Sequence, residues 1–381
     1  MEIFSLKILD FLFDSPASRV YSECRIACTF TQFYRYFGRF LVTVTEIAEI
    51  AGVSTGTVDR VIHNRGRVSE ETREKINKII SENDYTPDPI ARFLKKKGDF
   101  KIGVLIPAIS EESGYWKAIY DGILNACVND YAAFGFQIEL FGFKRPDIPS
   151  LKAQFKKMIK ADCSAYIIAP IMQEEIMFLL SQEKLTAPYC FIDSPLPGAL
   201  PITTIAQNPF KAGFMAGKLT RLCSARSGTF AVIKPFSESY NLNERARGFA
   251  SYFLQTKDCR AIQKIARGSR QEEIADAVFQ LVHDSEDLRG ICLVNSEVHF
   301  AGQKIAEMGL KNKIAVVGFD LVDSNIEALK NDKVDALISQ DPRGQGSLVM
   351  KEIYKNLVLE KEVEKEVNIP LNVFFKENID F

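Results

Sequence analysis

Arg60, His63, Arg65, Arg67 and Arg73 gather within residues 60–73, and cations grouped along one edge can neutralise phosphates even on a domain with little net charge. Other reactive residues form no such constellation. The three histidines, at 63, 283 and 299, have no nucleophile motif around them, so no catalytic residues and no enzyme activity are expected. Eight cysteines lie scattered, most beside apolar neighbours, as in Ile291-Cys292-Leu293, which reads as reduced core packing rather than a disulfide framework. There is no CxxC, and Cys24 and Cys28 lack a His or Cys partner at zinc-site spacing, so no metal and no cofactor are expected. Gly213-Phe214-Met215-Ala216-Gly217-Lys218 looks superficially like a phosphate loop but lacks the spacing, and its small residues suit helix packing better.

The cations sit on a helical pattern. Thr43-Val44-Thr45-Glu46 is a capping box, in which the Thr hydroxyl serves an early helical N–H and the Glu reaches back. The helix it opens carries Val44, Ile47, Ala48 and Ala51 on one stripe and stops at Gly52, where positive φ carries no Cβ penalty. Ser54 caps a second helix with Val58, Val61 and Ile62 on its apolar face, and a third starts at Ser69 and packs through Ile76, Ile79 and Ile80. Two short helices joined by a tight turn make a helix-turn-helix, whose second helix is placed to enter a major groove. Residues 43–97 hold ten Lys/Arg against nine Asp/Glu, so bulk charge leaves open a plain three-helix cluster, and position favours DNA: Glu46, Glu49, Glu82 and Asp84 lie away from the cationic edge.

The run Thr45 to Ile76, with Asn83-Asp84-Tyr85-Thr86-Pro87 and Ala91-Arg92-Phe93-Leu94, resembles the DNA-binding headpiece of the lactose-repressor (LacI/GalR) family without a gap. That resemblance puts the base-reading positions on Thr55 and Gly56, with Arg60 one turn later, and gives phosphate contacts to Ser54, Thr57 and the helix-start amides, since helix N-termini favour anions. His63 and Arg65 continue the DNA-facing set. Two departures matter: Gly56 offers no side chain to a base edge, and Asp59 stands where the family commonly has Ser. Direct readout therefore falls mainly on Arg60. In residues 86–99, Asp88-Pro89 reads as a cap and first-turn proline opening a short hinge helix. The resemblance makes Leu94 the residue that wedges between base pairs in the minor groove.

Beyond Gly98, short apolar runs alternate with helical stretches, the pattern of parallel sheets covered by helices. Two series, starting near Lys101 and Thr204, imply two lobes, with a cleft at the carboxyl ends of the strands. Here the resemblance extends to periplasmic sugar-binding proteins of the ribose type. It implies that Tyr115 and Trp116 stack on a sugar, that Asp193 and Asp320 accept from its hydroxyls, and that Arg245 and Gln340 complete the effector set. The family's usual Asn-Asp pair is replaced by Ser296-Glu297, which assigns that contact to Glu297. Carboxylates, a guanidinium fork and an aromatic plane are the groups a sugar needs. Arg247 is expected to be structural or exposed.

The expected architecture is α/β: an N-terminal three-helix helix-turn-helix headpiece over 43–85, a hinge helix and linker over 86–99, and a two-lobed, Rossmann-like, periplasmic-binding-protein-type effector and dimerisation domain over 100–381. A solvated helix is expected over Lys351 to Glu366, with a closing strand over Val367 to Phe375. Residues 1–42, with seven Phe in the first forty, fit neither a secretory signal nor the clean start at 43; they read either as short helices packed on the body or, favoured, as an atypical extension from a start codon assigned too early. The function expected is that of a cytoplasmic transcriptional regulator, a repressor-like homodimer. It binds double-stranded operator DNA and senses a small effector, a sugar or sugar derivative, with no membrane partner. The alternative is a periplasmic-type sugar-binding protein without a regulatory role.

Overall fold

A computed structural model describes residues 42–62, 65–83, 85, 100–183, 185–235 and 239–379. The extension before residue 42, His63, and the hinge helix with Leu94 lie outside the described residues. The chain divides into two compact units, 1–88 and 89–381.

In the first unit, α1 (Val44–Ala51), α2 (Thr55–Ile62) and α3 (Glu70–Glu82) surround one small core. The capping box forms, with Glu46 N donating to Thr43 Oγ1 at 3.3 Å and Thr43 N to Glu46 Oε2 at 2.7 Å. Gly52 closes α1 at φ 70°. Ser54 and Ser69 cap the following helices through Thr57 N and Thr72 N. Ile47, Val58 and Ile76 are fully buried, each contributing about 1.5–3 kcal/mol relative to exposure.

The second unit holds two sheets. The first lobe is laid down as β1 (Phe100–Pro107), α4 (Tyr115–Asn125), β2 (Phe136–Phe143), α5 (Ile148–Lys160), β3 (Ala165–Ile168), α6 (Gln173–Gln182), β4 (Tyr189–Asp193) and β5 (Thr203–Gln207). The second lobe follows as α7 (Pro209–Ser224), β6 (Gly228–Lys234), α8 (Tyr240–Phe253), β7 (Cys259–Ile265), α9 (Gln271–Asp284), β8 (Leu288–Leu293), α10 (Val298–Glu307), β9 (Ala315–Phe319), α11 (Asp323–Lys330) and β10 (Ala336–Ser339). The chain then returns to the first lobe with α12 (Pro342–Leu357) and β11 (Glu366–Ile369), and ends on the second with β12 (Asn372–Phe374). The sheet orders, β11-β5-β4-β3-β1-β2 and β12-β10-β9-β8-β6-β7, are the same arrangement twice. All pairings are parallel except β10 with β12.

Each lobe has one helix pair in intimate contact. A Cβ on Gly213 of α7 would collide with the carbonyl oxygen of Arg245 on α8, and one on Gly248 with that of Phe210. The glycines of the 213–218 string therefore serve helix packing. Buried thiols line the cores: burial pushes Cys127 up to about 11 and Cys292 up to about 12, so both stay protonated.

The structure corrects the C-terminal expectation. The helix spans 342–357, not 351–366, and Gln345, Val349, Met350, Glu352 and Ile353 are buried on it rather than solvated. Asp341 caps it by accepting from Gly344 N at 3.0 Å, and Pro342 presets its first turn. The single strand expected over 367–375 is two short ones on different sheets. Pro370, which has no N–H to give a ladder, stands where the chain crosses between them. Helix α4 ends at Asn125 and continues as one π-helical turn, in which Tyr131 N donates to Ala126 O.

Candidate functional site

The C-terminal strand ends of the two lobes face each other across a cleft. Asp193 closes β4, Asp320 follows β9, and both have left-handed backbone, at φ 71° and 72°. Aspartate tolerates that region better than most residues. The two carboxylates thus occupy equivalent places in the duplicated fold.

The innermost part of the cleft is lined by Glu112, Tyr115, Trp116, Arg145, Asp193 and Asn241, with Arg245, Asn295, Asp320 and Gln340 closing the other side. Its volume is about 10 Å³, room for one water, so a larger ligand enters only if the lobes move apart. Its polar groups are heavily cross-linked. Tyr115 donates to Asp193 Oδ1 at 2.7 Å and Asn241 Nδ2 to Asp193 Oδ2 at 2.9 Å. Gln340 Nε2 donates to both oxygens of Asp320 at 3.0 Å. Arg245, 2% exposed, stacks 4.3 Å over the Phe319 ring and donates to Val294 O and to Gln340 Oε1. Arg145 and Glu112 form an ion pair at 2.7 Å. Trp116 Nε1, Arg245 Nε and both polar atoms of the Asn295 amide have no hydrogen-bond partner.

Burial dominates the electrostatics. It pushes Asp320 up to about 7 against the opposing pull of Arg245, and raises Asp193 in the same direction. Behind Asp320 stands Asn325, fully buried, whose Nδ2 donates to Ser296 O at 2.8 Å, Phe319 O at 2.9 Å and Asp320 O at 3.0 Å. It fixes the loop that presents the carboxylate.

The six expected positions Tyr115, Trp116, Asp193, Arg245, Asp320 and Gln340 meet in this one lining. Glu297 does not join them. It stands at the edge of the cleft, accepting from Ser113 Oγ at 2.6 Å, and burial pushes its carboxyl up to about 7. Ser296 Oγ donates to Glu112 O at 3.1 Å, so two hydrogen bonds bridge the lobes at this edge. Glu112, Arg145, Asn241 and Asn295 were not expected. Asn295 was findable, because it lies just beyond the C-terminal end of β8, where ligands of parallel sheets gather. Arg247 is exposed and pairs with Glu244.

In the first unit, Ser54, Thr55, Gly56 and Arg60 are exposed at the start and along α2, and Thr57 is half-buried with its hydroxyl 3.0 Å from Ser54 Oγ. Gly56 is open, since a Cβ there would meet nothing nearer than Ser54 Oγ at 3.8 Å. The Arg60 stem lies along Gly66, and Arg65 N donates to Arg60 O at 2.8 Å. Arg65 itself is exposed.

A helix-turn-helix followed by a duplicated, two-lobed α/β domain with a buried polar cleft defines a regulator built on a binding-protein fold. Residues 102–361 match the periplasmic binding protein domain family, and residues 43–88 match the bacterial regulatory proteins of the lacI family. The chain belongs to the periplasmic-binding-protein domain family and carries a lacI-family regulatory segment ahead of that domain. It is 24% identical over 286 residues to the HTH-type transcriptional repressor PurR of Erwinia tasmaniensis, covering 74% of this chain and 81% of that one. It is 26% identical over 287 residues to the sucrose operon repressor of Streptococcus mutans, covering 73% and 82%. The fold is shared with GanP, a glucose-galactose binding protein from Geobacillus stearothermophilus, at a TM-score of 0.68 and 18% identity over 75% of this chain and all of that one. Among the described residues no helix is long and apolar enough to cross a membrane.

Proposed function

We propose that this protein is a cytoplasmic transcriptional regulator that binds operator DNA as a homodimer and senses a sugar or sugar derivative between its lobes. On this reading 43–85 holds the DNA, 86–99 is the hinge with Leu94 as its wedge, and 100–381 is the sensor. It is not an enzyme. The reading rests chiefly on the cleft. Asp193 and Asp320 face it from equivalent strand ends, while Trp116 Nε1, Arg245 Nε and the Asn295 amide stand buried beside them without partners. Those are the groups a polyhydroxyl ligand would satisfy. Ser54, Thr55, Gly56, Thr57, Arg60, His63 and Arg65 are the DNA-facing set.

The mechanism is linkage. An effector alters operator affinity only through its different affinity for the two lobe arrangements, and a cleft with room for one water implies that the arrangement changes on binding. A sugar-binding protein without a regulatory role is set aside because of the lacI-family segment. The test is operator selection from random DNA with the full chain, followed by titration of the selected operator with and without a panel of sugars. A palindromic site whose affinity responds to one sugar supports the proposal. No sequence preference, or a preference indifferent to every sugar, overturns it.

A further inference from the structure

A second cavity, of about 760 Å³, shares no lining residue with the inner cleft. That volume falls in the roughly 300–1,000 Å³ range of small-molecule sites. One wall is the 195–201 loop between β4 and β5. The rest is built from 206–209, where the chain first crosses to lobe two, from 365–368 at β11, and from Tyr240 of lobe two. Tyr240 stands between Ser239 and Asn241, both in the inner lining, so the start of α8 is a partition with the inner cleft on one side and this cavity on the other.

The lining has few donors to give. Pro195, Pro197, Pro201 and Pro209 carry no N–H. The N–H groups of Ala199, Leu200 and Thr204 are already given to Leu196 O, Tyr189 Oη and Lys365 O. Gln207 supplies the opposite need. It is 3% exposed, and its Nε2 donates to Ser339 O at 2.9 Å and Pro370 O at 3.1 Å. Two carbonyls can be served only by the NH2 end, so the amide has one orientation. Its Oε1 is left buried, with no hydrogen-bond partner among the described residues. A buried carbonyl oxygen in that state calls for a donor. Around it the proline rings, Leu196 and the Tyr240 ring offer flat apolar faces, which suit an aromatic ring. Lys365 and Glu366 are both exposed and opposite in charge, so the site carries no net charge.

We propose that this cavity is a second ligand site, for an uncharged aromatic molecule with one N–H or O–H directed at Gln207 Oε1, and that its occupant biases the lobe arrangement. The bias follows from position. Such a ligand touches lobe one through the 195–201 loop, lobe two through Tyr240 and the first crossover through Gln207, so its affinity differs between the two arrangements. None of this depends on what the inner cleft binds.

The test is calorimetry on the full chain with two matched pairs, indole with 1-methylindole and phenol with anisole, each pair differing in the donor. The donor-bearing member should bind at least about 10-fold more tightly than its methylated partner. Gln207→Leu should erase that difference. Asn368→Phe adds bulk at an exposed lining position on β11 and should weaken both members of a pair alike. Trp116 is the only tryptophan of the chain and lies in the inner cleft, outside this cavity, so phenol binding should change its emission through lobe movement. No binding by either donor, equal binding within each pair, a difference that survives Gln207→Leu, or affinity untouched by Asn368→Phe overturns the site. Phenol bound with Trp116 emission unchanged overturns the coupling to the lobes.

Discussion

Gln207 Nε2 lies 2.9 Å from Ser339 O, and the same nitrogen donates to Pro370 O at 3.1 Å. The three residues sit on the three strands of chain that pass between the lobes, so one buried amide ties together every crossover. Gln207→Leu removes both bonds and strands two carbonyls, at about 1–3 kcal/mol. For a unit of this size the thermal midpoint should fall by roughly 2–10 °C. A midpoint unchanged in differential scanning calorimetry would show that the crossovers do not depend on this amide.

Arg60 is an exposed cation on α2 whose stem lies against Gly66, and on the proposed reading it contacts a base edge, since Gly56 has no side chain to do so. Arg60→Ala should weaken binding to a selected operator by about 1–3 kcal/mol while leaving affinity for random DNA close to that of the parent. Both must be titrated at one salt concentration. Equal losses on the two DNAs would make Arg60 a phosphate contact.

Gly248 meets the backbone of α7 so closely that Gly248→Ala forces the helices apart, at about 1–3 kcal/mol or more. Arg245 rides on the same helix one turn away, so effector affinity should fall together with the denaturant midpoint. Gly56→Ala is the contrasting change. Its Cβ meets open space, and helix propensity alone should stabilise α2 by up to about 1 kcal/mol. Urea unfolding of the two variants separates packing from propensity.

Glu297 and Asp320 give a pH dependence of definite sign. Each carboxyl is raised by burial to about 7 from ordinary values of 4.5 and 3.8, so the folded state favours the protonated form. Their stabilisation is complete below the ordinary values and is lost as pH rises through about 7. Between pH 8 and 6.5 the thermal midpoint should therefore climb as pH falls, and Glu297→Gln should flatten that climb. His299, whose imidazole is held low by burial, acts in the opposite direction as pH falls through its ordinary value of 6.5. A midpoint that drops on acidification from pH 8 to 6.5 would contradict the assignment.

What could be read from the sequence was local. Caps at Thr43, Ser54 and Ser69, the stop at Gly52 and the apolar stripes are statements about a few neighbouring residues, and the helices follow them. Asp193, Arg245 and Asp320 were also legible as cleft residues, because two stand at strand ends and the third lies in a recognisable string inside α8. Glu112, Arg145 and Asn241 were not. Their places in the lining depend on two lobes closing over each other, and no window of sequence contains that event. The C-terminal helix was misplaced for a related reason. Lys351, Lys355 and Glu352 look like a solvated face, yet Glu352 is 3% exposed, carried inside by a helix packed against α4.

That returning helix has a consequence for how the molecule is made. Lobe one begins at residue 100, but it receives α12 and its edge strand β11, ending at residue 369, only after all of the second lobe except β12 has been laid down. Chains grow from the N-terminus, and compact units form as they emerge. The ribosome therefore releases an unfinished first lobe whose α4 face, with Gly122 shaped for the backbone at Arg343, waits through more than half of translation for its cover. During that interval the open face is exposed apolar surface of the kind that promotes aggregation.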